Sequence, residues 1–270
     1  MGGVGAVGED VVGGRAMAPE VWFVGCPAVT LPSGAMEGSK PARAELAAAA
    51  AILTWNTAIN RLVPSPAYVP ANLAATALAV AAARQSGVSA ADLGLDPARA
   101  GRGLRVGLTA AVPVVAVVAA GAALPATRRW FQDKRATTGG TGQALYHTLL
   151  RIPLGTAAAE ETIFRGAVLG LLTQRHPRAR AVAVSSALFG CWHVLPTLDT
   201  LALNPVGETV GDGLARTAGA VLAAAAVTAL AGLGFSWLRF RGDSVVAPVV
   251  VHAALNSSAF AAARLVARRG

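Results

Sequence analysis

Charge is what this sequence has least of. Only 14% of its 270 residues are Asp, Glu, Lys or Arg, where an ordinary soluble domain carries about 25%. Hydrophobic residues make up 54% and the mean hydropathy is +0.53. Together these exclude a water-soluble globule and indicate a polytopic membrane protein. Cysteine is scarce too: Cys26 and Cys191 lie in unlike surroundings and supply neither a disulfide framework nor a Cys-based zinc site. Residues 1–43 have no apolar run long enough to span a bilayer, and no basic stretch leading into an apolar one. They are expected to form a disordered tail rather than a signal peptide. The net charge of +9 and pI near 11.1 come mostly from arginines at the ends of apolar runs. That is the distribution of membrane-flanking anchors and argues against a nucleic-acid partner.

What is present is a succession of apolar runs from Glu45 onward. They predict an all-α transmembrane bundle of about seven spans over residues 44–270. The spans fall near 45–63, 69–83, 106–125, 149–173, 181–196, 215–238 and 244–264. A polar linker at 84–105 separates the second span from the third, and another at 128–142 sets the last four spans apart from the first three. Asn56 and Asn60, four residues apart, form a polar stripe expected to face other helices. The loop from Thr197 to Leu214 holds Asp199, Glu208 and Asp212 and no basic residue, which places it outside by the positive-inside rule. Arg175, Arg178 and Arg180, with Arg239 and Arg241, would then be cytoplasmic. Seven spans would put Arg264, Arg268 and Arg269 outside, against the same rule.

Inside the fourth span, Glu160, Glu161 and Arg165 stand within six residues of one another. Ionisable groups at membrane depth cost at least a few kcal/mol and mark a functional site by default. Glu161 and Arg165 are helical i,i+4 neighbours and can pair, as a structural ion pair would. Glu160, about 100° round the helix, has no partner in its own segment and is expected to find one in His193 or His252. Phe189 and His193 are four apart, as are His252 and Asn256, so each pair shares a helix face. Counted from membrane edges at Ile152, Val182 and Ser244, the residues Glu160, His193 and His252 lie about 12 to 17 Å deep and can meet. A lone buried His or Asn is more often a helix contact than a catalyst. Here one Glu, two His and one Asn coincide in depth. His147 and His176 sit at span ends among arginines and are given no role. Gly166 and Gly170 are read as packing residues.

In order along the chain, the EExxxR of Glu160–Arg165, the FxxxH of Phe189–His193 and the HxxxN of His252–Asn256 resemble the CPBP (Abi) family of intramembrane proteases. That family includes the type II CAAX prenyl endopeptidases. The likeness covers about residues 145–265, the expected catalytic core. It implies an integral, multi-pass endopeptidase of the cell membrane acting on membrane-associated protein or peptide substrates, prenylated or CAAX-like ones among them. By the resemblance, Glu160 with His193 would activate a water, His252 with Asn256 would hold the oxyanion, and Glu161 with Arg165 would brace the site. A carboxylate held out of water suits the role of base. A metal-centred version stays open, with zinc held by Glu160, His193 and His252 and a fourth position free, although the chain has no HExxH helix. Two other classes remain. One is a non-catalytic scaffold or immunity-type relative; the other is a proton-coupled transporter, which should show inverted repeats that are not visible here.

Overall fold

The computed structural model describes residues 40–268 except 212, and all secondary structure among them is helical. Residues 1–39, most of the expected tail and Cys26 with it, lie outside the described residues. Positions 40–43, assigned above to that tail, form the first turn of α1 (Lys40–Arg61). There follow α2 (Tyr68–Gln85) and α3 (Pro97–Ala123). Three short helical pieces, Pro125–Arg128, Arg129–Phe131 and Lys134–Thr137, then lead to α4, a continuous helix over residues 141–173. After it come α5 (Arg178–Trp192), α6 (Val194–Leu203), a short helix Pro205–Val210, α7 (Leu214–Gly242) and α8 (Val246–Ala267). Five helical stretches are long and apolar enough to cross a membrane: Ser65–Gln85, Pro97–Ala123, Arg178–Leu203, Leu214–Gly242 and Val246–Ala267. They correspond to five of the seven expected spans; the other two expected spans coincide with α1 and α4, which are not among the five.

The helix ends follow local chemistry. Asp96 caps α3, its side chain accepting from the Ala98 amide at 3.0 Å, and Pro97 occupies the first helical position. This start lies more than two turns before the expected one at 106. The arginines and glycines of 97–105 read as a linker, but a capped start preceding an apolar run is enough to extend the helix back through them. Pro113 sits within α3 without ending it, as membrane helices tolerate. Pro153 within α4 coincides with a π-helical stretch, His147–Ala158, and a second one spans Thr162–Val168. Proline brings no N–H to the α pattern, and π turns occur chiefly at functional sites.

Close helix approach relies on small residues, the usual currency of membrane packing. α8 packs most extensively on α3, where a Cβ added at Gly107 would lie 2.8 Å from the Val250 Cβ. α4 meets the 86–96 loop at Gly166 and Gly170; a Cβ there would come 3.2 Å from the Leu93 carbonyl oxygen and 2.9 Å from a Val88 methyl. Outward-facing residues such as Leu78, Val117 and Leu230 are exposed and meet the bilayer. The interior belongs to α4, whose residues from Ile163 to Gly170 are all buried.

Candidate active site

α4 is enclosed on several sides, so its two adjacent carboxylates look toward different neighbours. Glu161 is fully buried. Its Oε1 lies 2.8 Å from the Nδ1 of His252 on α8, and Arg165 Nη1 lies 3.2 Å from each of its oxygens. Because an ionised carboxylate only accepts, Nδ1 of His252 donates, which leaves Nε2 as the free ring nitrogen. The ring is pinned further by stacking on Phe235, with centroids 5.1 Å apart and planes at 15°. Glu160 faces α5, and its Oε1 accepts from the indole Nε1 of Trp192 at 3.1 Å. Its other oxygen is buried and makes no hydrogen bond.

The expectation that Glu160 would pair with His193 or His252 is therefore corrected. Glu161, thought to be occupied by Arg165 alone, takes His252 as well, and Glu160 takes Trp192. Helical spacing tells that two neighbours differ by about 100°, but not which neighbouring helix lies on which side.

Arg165 is buried among aromatic rings. Its guanidinium carbon stands 4.1 Å from the Phe189 ring centre and 5.2 Å from that of Phe235. Cation–π attraction in a water-poor setting supplements its one carboxylate partner, while its Nε and Nη2 have no hydrogen-bond acceptor. Only 5% of the chain is aromatic, yet Phe164, Phe189, Trp192 and Phe235 form one contiguous cluster here.

His193 sits where α5 gives way to α6. Its Nδ1 donates to the Phe189 carbonyl at 2.8 Å, and its ring meets Phe189 edge-on at 4.5 Å. In the neutral ring this tautomer presents Nε2 as an acceptor. Phe189 also touches His252, with centroids 6.0 Å apart, so one phenyl ring lies against both histidines. Asn256, one turn beyond His252, is half-buried and lines a cavity of about 450 Å³ together with Tyr68, His147, Arg151 and Thr156. Tyr68, in turn, is within electrostatic reach of Glu160.

Four supporting residues were not assigned to the site from the sequence. Trp192 was visible inside the FxxxH stretch, but nothing marked its indole as the donor to Glu160. Asn56 donates to the Trp192 carbonyl at 2.7 Å, and Asn60 donates to the Asn56 side chain at 2.7 Å, so the polar stripe of α1 faces another helix, as expected, and holds the Trp192 backbone. Asn72 donates to the Gly155 carbonyl at 2.9 Å, within the first π stretch, and accepts from Trp55.

The donor set does not fit the three-ligand zinc centre held open above. Among the described residues no three His, Cys, Asp or Glu side chains gather as a metal site requires. Glu160 faces α5, where it accepts from Trp192, whereas His252 Nδ1 meets Glu161.

Residues 142–258 match the family model described as type II CAAX prenyl endopeptidase, Rce1-like, and all six candidate residues fall within that match. No curated protein and no solved structure matches the chain. The motifs, the apolar helices and the family match agree: residues 142–258 of this integral membrane protein are similar to the Rce1-like type II CAAX prenyl endopeptidases, a protease family.

Proposed function

We propose that the protein is an endopeptidase of the cell membrane that hydrolyses membrane-associated peptide substrates with a water activated by Glu160 and His193. The observation that carries this reading is the unequal pairing of the two carboxylates: Glu161 is ion-paired to Arg165 and meets His252, whereas Glu160 has only the neutral Trp192 indole as donor, and each keeps a buried Oε2 without a hydrogen bond. A buried acceptor left unmatched is costly, and a water at Glu160 Oε2 would relieve it there.

In the proposed cycle, Glu160 Oε2 takes a proton from the water as its oxygen attacks the scissile carbonyl, with Nε2 of His193 accepting the water's second hydrogen bond. The tetrahedral oxyanion accepts from the Asn256 amide and from Nε2 of His252 when that ring carries both protons. The C–N bond then breaks as Glu160 passes its proton to the departing amine, so the proton taken from water ends on the new amino group. Glu161 and Arg165 hold His252 in place and touch no substrate.

The test is peptide release by the purified full-length protein in lipid nanodiscs. Glu160→Gln keeps the shape and a hydrogen-bond acceptor but removes the base. Turnover should fall by about 10²-fold to 10⁴-fold while folded yield stays near that of the wild type. Asn256→Ala should slow turnover by roughly 10²-fold to 10³-fold. Full activity in Glu160→Gln would overturn the reading.

A further inference from the structure

Four arginines gather at one end of α3 and α8 and take no part in the chemistry above. Arg128 and Arg129 follow the last turn of α3, and Arg264 and Arg268 lie at the end of α8; among the described residues none of the four makes an ion pair. Their partners are neutral. Arg128 Nη2 donates to the Ala123 carbonyl at 3.3 Å, Arg129 lies over the Trp130 ring, and Arg264 donates to the carbonyls of Ala136 and Gly139. The two helices run side by side in the same direction. A Cβ added at Gly103 would lie 2.7 Å from the Ser244 Cβ, and one at Gly107 would lie 2.8 Å from the Val250 Cβ, so the pair starts in close contact. Farther along, a groove of about 250 Å³ lies between them, lined from Val115 to Ala123 on α3 and from Ser258 to Val266 on α8, with Arg128 at its end. Its walls are apolar, and the Ser258 hydroxyl is turned to the Leu255 carbonyl of its own helix at 3.1 Å. The cavity that holds Asn256 and Asp133 meets α8 at other positions, Ala259, Phe260 and Ala263, so the groove is separate from the candidate active site.

We propose that this groove binds an anionic phospholipid, with one acyl chain lying along α3 and α8 and the phosphate resting on the Arg128 guanidinium. The groove opens outward, since Val115, Ala119 and Leu265 are exposed, and between apolar spans the surrounding medium is hydrocarbon. Its direction is that of the helices, which is also that of a lipid chain. Its length fits one leaflet: Val115 to Ala123 covers about 12 Å at about 1.5 Å per residue, and half of a hydrocarbon core is roughly 15 Å. Chain burial alone gains little, because lipid tails are as apolar as the groove. Selectivity therefore falls to the headgroup. A guanidinium presents a planar fork of donors that matches two phosphate oxygens. Arg129, Arg264 and Arg268 add positive potential at the same end, and each basic residue near an anionic lipid surface contributes about 1 kcal/mol. A second copy of this chain fits the groove less well, because a two-fold contact there would bring the same four arginines together from both sides.

The experiment titrates the purified full-length protein in detergent micelles with dioleoyl phosphatidylglycerol and dioleoyl phosphatidylcholine, and counts bound lipid by native mass spectrometry. Phosphatidylglycerol should bind at one saturable site, about fivefold tighter than phosphatidylcholine or better. Arg128→Gln should weaken phosphatidylglycerol by about fivefold. Arg129→Gln, next in the chain but outside the groove lining, should weaken it less. Ala119→Phe, an outward-facing change that fills the groove, should remove the saturable site for both lipids. Glycerophosphoglycerol, the headgroup without chains, should neither bind nor compete. Equal affinity for the two lipids, or no retained lipid, would overturn the assignment on the wild-type protein alone, whether or not the variants fold. Equal losses in Arg128→Gln and Arg129→Gln would mean a diffuse basic surface, and binding that survives Ala119→Phe, or a headgroup that binds as well as the lipid, would mean that the groove is not used. A doubled protein mass that Ala119→Phe returns to the monomer would give the groove to a second copy. Each of these outcomes sinks the lipid site.

Discussion

Two regions of the bundle each bury an arginine, and the partners differ. Arg165, in the middle of α4, is matched to a carboxylate and packed against phenyl rings. Arg239, in the last turn of α7, is matched to backbone: its Nη2 donates to the carbonyls of Ala91 and Asp92 at 3.0 and 2.9 Å. Around Arg239 the 86–96 loop is tied down further. The Val245 amide and the Ser244 hydroxyl both reach the Gly94 carbonyl, and Gly94 itself has φ +70° with the Arg239 side chain packed where a Cβ would be. The guanidinium of Arg239 also sits at the C-terminal end of its helix, where the dipole favours a cation. One arginine therefore closes a loop at the end of the bundle. The other pairs with a carboxylate among aromatic rings in the middle of α4. Burial alone does not distinguish the two arginines; the type of acceptor does.

The largest expected effect tests the deep region. Arg165→Ala leaves Glu161 buried with His252 alone, and a broken buried pair costs about 3–5 kcal/mol. The folded fraction in detergent, read by size-exclusion and thermal unfolding, should drop sharply and take activity with it. A stable Arg165→Ala protein would mean that the aromatic cage and His252 suffice. Next is Arg239→Ala, which removes two charge-assisted bonds to the backbone carbonyls of Ala91 and Asp92, worth about 1.5–3 kcal/mol each. Thermal stability should fall, while turnover per folded molecule should stay within about twofold of wild type, because Arg239 touches no candidate catalytic residue. Loss of turnover in folded Arg239→Ala would erase the distinction between the two regions. The smallest effect should come from Arg61→Ala. Arg61 makes a two-pronged pair with Asp199 at 2.8 and 2.9 Å, with the two side chains 41% and 36% exposed. Such a pair contributes about 0–1 kcal/mol and is weakened by salt, so the melting shift should be near zero and vanish at high ionic strength.

The legible part of the site was the part encoded at short range. Glu161 and Arg165, or Phe189 and His193, meet because four residues bring helix neighbours together, and the structure has the first at 3.2 Å and the second at 4.5 Å. Partners on other helices were not legible. Trp192 as donor to Glu160, Asn56 behind Trp192, and His252 on Glu161 rather than Glu160 each depend on how α4 is rotated against α5 and α8. The π stretches add to this, since a single wide turn shifts every later face of the helix.

By itself the sequence determined that this is a helical membrane protein, that α4, α5 and α8 carry its ionisable and amide side chains at depth, and that the motifs belong to a protease family. Apolar composition and helical periodicity are properties of a chain read one segment at a time. Only the tertiary structure decided which carboxylate meets Arg165 and His252 and which meets Trp192. It also put Arg151, which makes no ion pair among the described residues, into the cavity with Asn256. The physical reason is that a buried charge takes the partner that packing brings within about 3 Å, and packing between helices is set by side-chain shapes that no single segment contains.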